Sequence, residues 1–217
     1  YTSYKEGRPA LYMRELATGK EFKISDYPGI NIGARWSPAG KEVALTLSKD
    51  GNPELYVLEL EGMTLRRLTN NWGIDVSPTW SPDGRKIAFV SDIAGNPHIY
   101  MINSDGTGLR RLTYEGKYNA SPAWSSKGDK IAFTRLDGGR FHLWVMNPDG
   151  REETQLTFDS DNNEDPSWAP NGRFIVYSST RSGESAMYII GGTGGKPYRL
   201  FKEMGNPKSP AWSPYLK

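Results

Sequence analysis

Apolar residues in this chain fall in short runs bounded by turn formers, not in long helical stripes. Lys86 to Ser91 (KIAFVS) and His98 to Asn103 (HIYMIN) read as short strands. Leu109 to Thr113 reads as a third, and Val76 to Ser81, which carries Trp80, as a fourth. After the last of these comes Ser81-Pro82-Asp83-Gly84, a tight-turn sequence. Its Pro pre-sets one backbone angle and its Gly accepts positive φ. The pattern predicts a four-stranded sheet unit.

The same unit recurs. Trp36-Ser37-Pro38-Ala39-Gly40 returns as Trp80-Ser81-Pro82-Asp83-Gly84, as Trp124-Ser125-Ser126-Lys127-Gly128, as Trp168-Ala169-Pro170-Asn171-Gly172 and as Trp212-Ser213-Pro214, with 44 residues between successive Trp. Three further columns keep this phase: Gly7, Gly51, Gly95, Gly139 and Gly183; Tyr12, Tyr56, Tyr100, Trp144 and Tyr188; Ile24, Leu68, Leu112, Leu156 and Leu200. Four strands in a period of about 40 to 45 residues describe one blade of a β-propeller. Helical repeats of that length would not tolerate the 24 Gly and 15 Pro of the chain, because Gly costs about 1 kcal/mol and Pro about 3 kcal/mol inside a helix. The Trp column is expected to pack blade against blade.

The 217 residues are three short of five 44-residue periods. The expected fold is therefore all-β: a five-bladed propeller of four-stranded antiparallel blades forming a single domain. Tyr1 aligns with Leu45 and Phe89 in the second strand of a blade, and Lys217 aligns with Lys41 just before it. The ring is expected to close by pairing of the two chain ends in one blade, with Ser209 to Pro214 as innermost strand and residues 1 to 25 as the other three. That blade combines residues 209–217 with 1–28; the others cover about 29–72, 73–116, 117–160 and 161–208. An open fragment of a six-bladed ring is the alternative.

Charge adds mainly exclusions. The formal net charge is +2, from 27 basic and 25 acidic residues. With no run of five Lys or Arg, nucleic acid is not an expected partner, and no stretch approaches the roughly 18 apolar residues of a membrane span. The chain has no Cys, which excludes disulfides, thiol nucleophiles and thiolate metal sites. The chain opens at Tyr1, without an initiator Met, which leads to the expectation of a processed, truncated or engineered product.

Five stretches carry a family resemblance. Asp75 to Phe89 (DVSPTWSPDGRKIAF) followed by Gly95 to Tyr100, the run Leu45 to Val57 (LTLSKDGNPELYV), and Glu115 to Pro122 with the ending Ser209 to Leu216 resemble the TolB-type propeller repeat, a WD40-like or PD40 repeat. The resemblance covers essentially the whole chain. It implies a periplasmic, non-enzymatic, protein-binding propeller of the Tol-Pal system, with the peptidoglycan-associated lipoprotein Pal or a colicin peptide as partner. The family's propeller has six blades and an N-terminal domain, so a ring one blade smaller and without that domain is the expectation here, and contact with TolA is not expected. A blade-number variant that serves only as a scaffold stays open, as does a propeller that binds a small molecule or Ca²⁺.

The resemblance also implies a binding face, where the loops enter the innermost strands. The candidate partner-binding residues are Ile30, Asn31 and Gly33 in the first such loop and Trp72, Asp75, Val76 and Ser77 in the second. Tyr118 and Asn119 follow in the third, and Asn163, Glu164 and Asp165 in the fourth. Asn31, Asp75, Asn119, Asn163 and Pro207 all stand five residues before a column Trp, and ordinary turn duty is the alternative for them. Trp72 has no repeat partner. Asp75, Glu164 and Asp165 are the candidate Ca²⁺ ligands, but they come from two repeats and carry no recognised cation loop, so no metal or cofactor is expected.

Catalytic signals are weak. His98 and His142 share one repeat position on the third strand, which favours a packing duty. No Gly-x-Ser-x-Gly elbow occurs, and Gly191 to Lys196 is followed by Pro197 where a phosphate loop needs Ser or Thr. No catalytic residue is expected.

Overall fold

The computed structural model describes residues 1–181, 183–201, 205 and 207–213. Among them are nineteen strands and no helix. The first sheet holds β1 (Thr2–Ser3), β2 (Ala10–Arg14) and β3 (Glu21–Ser25). The second holds β4 (Asn31–Trp36), β5 (Glu42–Leu47), β6 (Glu54–Glu59) and β7 (Thr64–Arg67). The third holds β8 (Asp75–Trp80), β9 (Lys86–Ser91), β10 (His98–Asn103) and β11 (Arg110–Arg111). The fourth comprises β12 (Asn119–Trp124), β13 (Ile131–Asp137), β14 (Arg140–Met146) and β15 (Thr154–Gln155); the fifth comprises β16 (Asn163–Trp168), β17 (Phe174–Ser179), β18 (Ala186–Gly191) and β19 (Gly194–Arg199). Every pairing is antiparallel between sequence neighbours, which is the meander of a propeller blade. The chain is a five-bladed β-propeller.

The continuous apolar runs of the second and third strands follow from this stacking. β5 and β9 are buried at five of six positions, on both faces, because the blade of each lies between two others, and β17 is buried to the same extent. The core is accordingly a series of inter-blade clusters. One joins Leu55 and Val57 of the second blade to Ile87, Phe89 and Tyr100 of the third. Another joins Leu143 and Val145 of the fourth to Ile175, Tyr177 and Tyr188 of the fifth. Each fully buried Leu or Phe contributes about 1.5 to 3 kcal/mol.

The Trp column has the expected duty. The indole N–H of Trp80 donates to the Arg35 carbonyl at 3.0 Å, that of Trp168 to Ala123 at 3.1 Å and that of Trp212 to Ser167 at 3.1 Å, each reaching into the preceding repeat. Trp80 and Trp168 are buried, whereas Trp36, at the junction of the first two blades, remains 52% exposed.

The innermost strands share one irregularity. Their ladders shift register between Ile32 and Arg35, Val76 and Thr79, Ala120 and Ala123, and Glu164 and Ser167. At each shift a residue takes positive φ: Gly33 (69°), Ser77 (56°), Ser121 (48°) and Asp165 (54°). The next residue is Pro in three of the four cases. A bulge is where a strand accommodates Pro, which has no N–H to give the ladder.

Ser209 repeats this conformation, with φ of 51°. The C-terminal segment thus has the local shape and the Trp212 anchor of an innermost strand. The ladder expected between it and the N-terminal segment is not formed among the described residues, where 207–213 carry no strand and the first sheet has three strands. Pro214 to Lys217 lie outside the described residues. The segment is held by the fifth blade's Asp165 and Ser167.

Because Trp168 is buried between two blades and Trp36 is not, their truncation should differ. Trp168→Ala is expected to cost about 3 to 5 kcal/mol and Trp36→Ala about 1 kcal/mol. Equilibrium urea denaturation of the two variants checks this.

Candidate functional site

Five copies of the bulged segment surround a central channel. Its walls carry Arg35, Thr79, Ala123, Ser167 and Ala211, one from each repeat, and enclose about 640 Å³. Asp165 accepts the hydroxyls of Ser121 at 3.1 Å and Ser209 at 2.9 Å, so one carboxylate ties three repeats together across the ring. Solvent reaches Arg35 inside the channel, yet protein surrounds it. This desolvation lowers its pKa from the usual guanidinium value, against the opposing charge of Asp165. Beside Asp165, burial and then that same charge push the Glu164 carboxyl upward.

One mouth of the channel is built by the loops that lead into the innermost strands. Their shape is set by the first residue of each strand: Asn31, Asp75, Asn119 and Asn163 are all fully buried. Asn31 accepts from the Ser25 hydroxyl at 2.6 Å and the Tyr27 amide at 3.0 Å, and donates to the Tyr27 carbonyl at 2.6 Å. Asn119 accepts from Arg135 Nε at 2.7 Å and donates to the Glu115 carbonyl at 3.0 Å. Asn163 donates to Asp159 Oδ1 at 2.9 Å and to the Asp161 carbonyl at 3.1 Å. Asp75 accepts from Asn71 Nδ2 at 2.7 Å. These side chains clamp the loops from below.

The other candidate residues are nearer the surface. Trp72 is 70% exposed, and Ser77 is exposed as well. Ile30, Gly33, Val76, Glu164 and Asp165 are half-buried. Tyr118 is partly exposed, edge-on to Phe141 with ring centroids 5.6 Å apart. The structure adds Tyr114 and Phe158, 69% and 77% exposed, at one repeat position in the same set of loops, together with exposed Ile74. Their signal in the sequence is an aromatic directly after Leu112-Thr113 and Leu156-Thr157. The clamps below and the aromatics above make the mouth a surface of fixed loops bearing large apolar side chains, able to receive a peptide or protein segment.

His98 and His142 are buried, and His142 also lines an open pocket with Arg140, Asp159 and Ser160. His98 Nδ1 lies 3.2 Å from the Thr113 hydroxyl and 3.1 Å from Asn119 Nδ2 of the next blade. Burial, and secondarily Arg111 and Arg135, push its pKa down to about 4, so the ring stays neutral and accepts. Among the described residues no group of three or more His, Asp or Glu is placed to hold a metal ion.

Residues 1–216 match the family described as the TolB beta propeller domain (PD40). The chain belongs to this family. Among solved structures, that of TolB from Acinetobacter baumannii superposes with a TM-score of 0.89 at 33% identity, covering 99% of this chain and 54% of that one. That of a putative TolB from Agrobacterium tumefaciens has a TM-score of 0.81 at 24% identity, covers 90% of this chain and 70% of that one, and shows the shared fold. The Tol-Pal system protein TolB of Francisella tularensis subsp. mediasiatica (strain FSC147) is 50% identical over 48 residues, which are 22% of this chain and 11% of that protein. The chain therefore spans about half of the Acinetobacter structure and aligns with a short part of the Francisella relative.

If the buried amides shape the mouth, removing one should act on stability first. Asn119→Ala leaves Arg135 Nε and the Glu115 carbonyl without a partner and is expected to cost about 2 to 3 kcal/mol. Chemical denaturation of the variant, set beside Tyr118→Ala with a cost below about 1 kcal/mol, measures the difference.

Proposed function

We propose that this chain is a protein-binding propeller of the Tol-Pal type, periplasmic and non-enzymatic, which takes its partner at the loop mouth described above. Membership of the TolB propeller family supports the binding role, and the relatives named as Tol-Pal system proteins support the peptidoglycan-associated lipoprotein Pal as that partner. The observation that carries the reading is the exposure of Trp72, Tyr114 and Phe158 on loops that buried amides hold in place. Aromatic side chains on a preorganised surface supply most of the energy in protein interfaces at small entropic cost. The burial of His98 between blades, away from the channel, favours binding over acid–base catalysis at this mouth.

Calorimetric titration of the chain with purified Pal tests this. Binding at micromolar strength or tighter is expected, with Trp72→Ala weakening it by about tenfold or more. Leu16→Ala, which alters an exposed side chain on the turn between β2 and β3 at the opposite mouth, should leave it unchanged. Absence of heat at high concentration would favour a scaffold without a partner.

A further inference from the structure

Each blade meets the next through one recurring pair, a residue at the start of the third strand and the buried residue that opens the following innermost strand. In the third and fourth blades this pair is His98 with Asn119, 3.1 Å apart, whereas the equivalent positions of the fourth and fifth hold His142 and Asn163, whose Nδ1 and Oδ1 have no hydrogen-bond partner. Between the second and third blades the same two positions are Glu54 and Asp75, joined at the backbone by the Asp75 amide and the Pro53 carbonyl at 2.9 Å. Both side chains are fully buried. Each also has one oxygen without a hydrogen-bond donor, Oε2 of Glu54 and Oδ1 of Asp75.

Two ionised carboxylates cannot both be kept there at low cost. A buried, donor-free carboxylate oxygen forfeits its hydration, and a second negative charge beside it adds repulsion. One proton supplies the missing donor and removes one charge. The outer oxygens of the same two groups hold a single loop. Glu54 Oε1 accepts the Asn71 amide at 2.8 Å and Arg67 at 3.0 Å, while Asp75 Oδ2 accepts Asn71 Nδ2 at 2.7 Å. Asn71 Oδ1 in turn accepts the Gly73 amide at 2.7 Å, and Asn52 Nδ2 reaches the carbonyls of Asn71 and Gly73. The residue between these two is Trp72.

We propose that Asp75 holds a proton beside Glu54, and that loss of this proton loosens the loop presenting Trp72. The groups around Asp75 agree with this. Glu54 faces it from β6, and Arg67 from β7 is engaged by Glu54 and lies 4.0 Å from Asp50. From β9 come the Ser91 hydroxyl and, in the loop beyond, Asp92, which accepts the Ile74 amide at 2.6 Å. β10 brings the neutral phenol of Tyr100 and, beside Ser91, the neutral His98; β5 brings the Thr46 hydroxyl, on the Asp75 carbonyl. The nearest cation is thus already committed to Glu54. Burial, outweighing the nearby hydroxyls of Ser91 and Thr69 and the Asn71 amide, raises the Asp75 carboxyl to about 6.

The sign follows from a folded pKa above the unfolded one. Between pH 3.8 and about 6 the folded chain holds more proton than the unfolded chain, so this pair's contribution falls as pH rises through that window and stays lost above it. Asp75→Asn places at this position the amide that three other repeats use, with an N–H for Glu54, and removes the titration.

Urea denaturation of wild type and Asp75→Asn at pH 4 and pH 8 tests the proposal. A shift of about two units predicts that the variant's folding equilibrium constant gains on wild type by about 100-fold over this range. Over the same range the Asn71 amide should lose hydrogen-exchange protection in wild type and keep it in the variant. A difference between the two proteins that does not change with pH would overturn the proposal. So would stabilisation of wild type at pH 8 by CaCl₂ that the variant lacks, since the pair would then hold a cation. If Asp75→Asn does not fold, Glu54→Gln, which keeps an acceptor for Asn71 and offers Asp75 a donor, must show the same flattened profile.

Discussion

A four-stranded blade has two apolar faces and cannot bury either by itself, and this constraint organises the whole molecule. β5 and β9 are covered on both sides because a neighbouring blade lies against each face. Stability is therefore distributed over junctions such as Val57–Phe89 and Val145–Tyr177, with the Trp80 and Trp168 indoles bonded across two of them. Ring closure matters for the same reason. A blade without a neighbour exposes a face, and the half-open setting of Trp36 beside the first blade, which has three strands among the described residues, shows the least complete junction.

The junctions also determine the mouth. A buried polar side chain at each one ties the incoming loop to the blade before it, and the bulge two residues later turns Ser77, Ser121 and Asp165 toward the channel. The frame repeats while the chemistry at its variable positions does not. One junction pairs His98 with Asn119, a neutral donor–acceptor arrangement, and one pairs Glu with Asp, which needs a proton to reach the same balance. A single repeat thus acquires a pH-dependent junction without altering its backbone.

Much of the fold was legible because the repeat is long and regular. Trp, Gly, aromatic and Leu columns in one phase identify the blade, and the continuous apolar runs identify its central strands. The Ser-Pro within the innermost strand was legible only as part of the repeat; that it marks a bulge at positive φ followed from the ladder shifts. The exposure of Tyr114 and Phe158 was not legible, since an aromatic beside a strand end reads equally well as core. Asn31, Asp75, Asn119 and Asn163 read as partner-binding or turn residues, yet they are the most deeply buried polar groups of the mouth.

The sequence by itself determined the unit, its length and the number of units, because these depend on spacing along the chain and on the backbone preferences of Gly, Pro and β-forming residues. Only the tertiary structure decided which polar residues lie beneath the surface and which aromatics stand above it. Burial at a junction depends on a residue 21 positions away in another blade, as Glu54 is from Asp75 and His98 from Asn119. That pairing arises when the blades stack, and no local pattern in either segment records it.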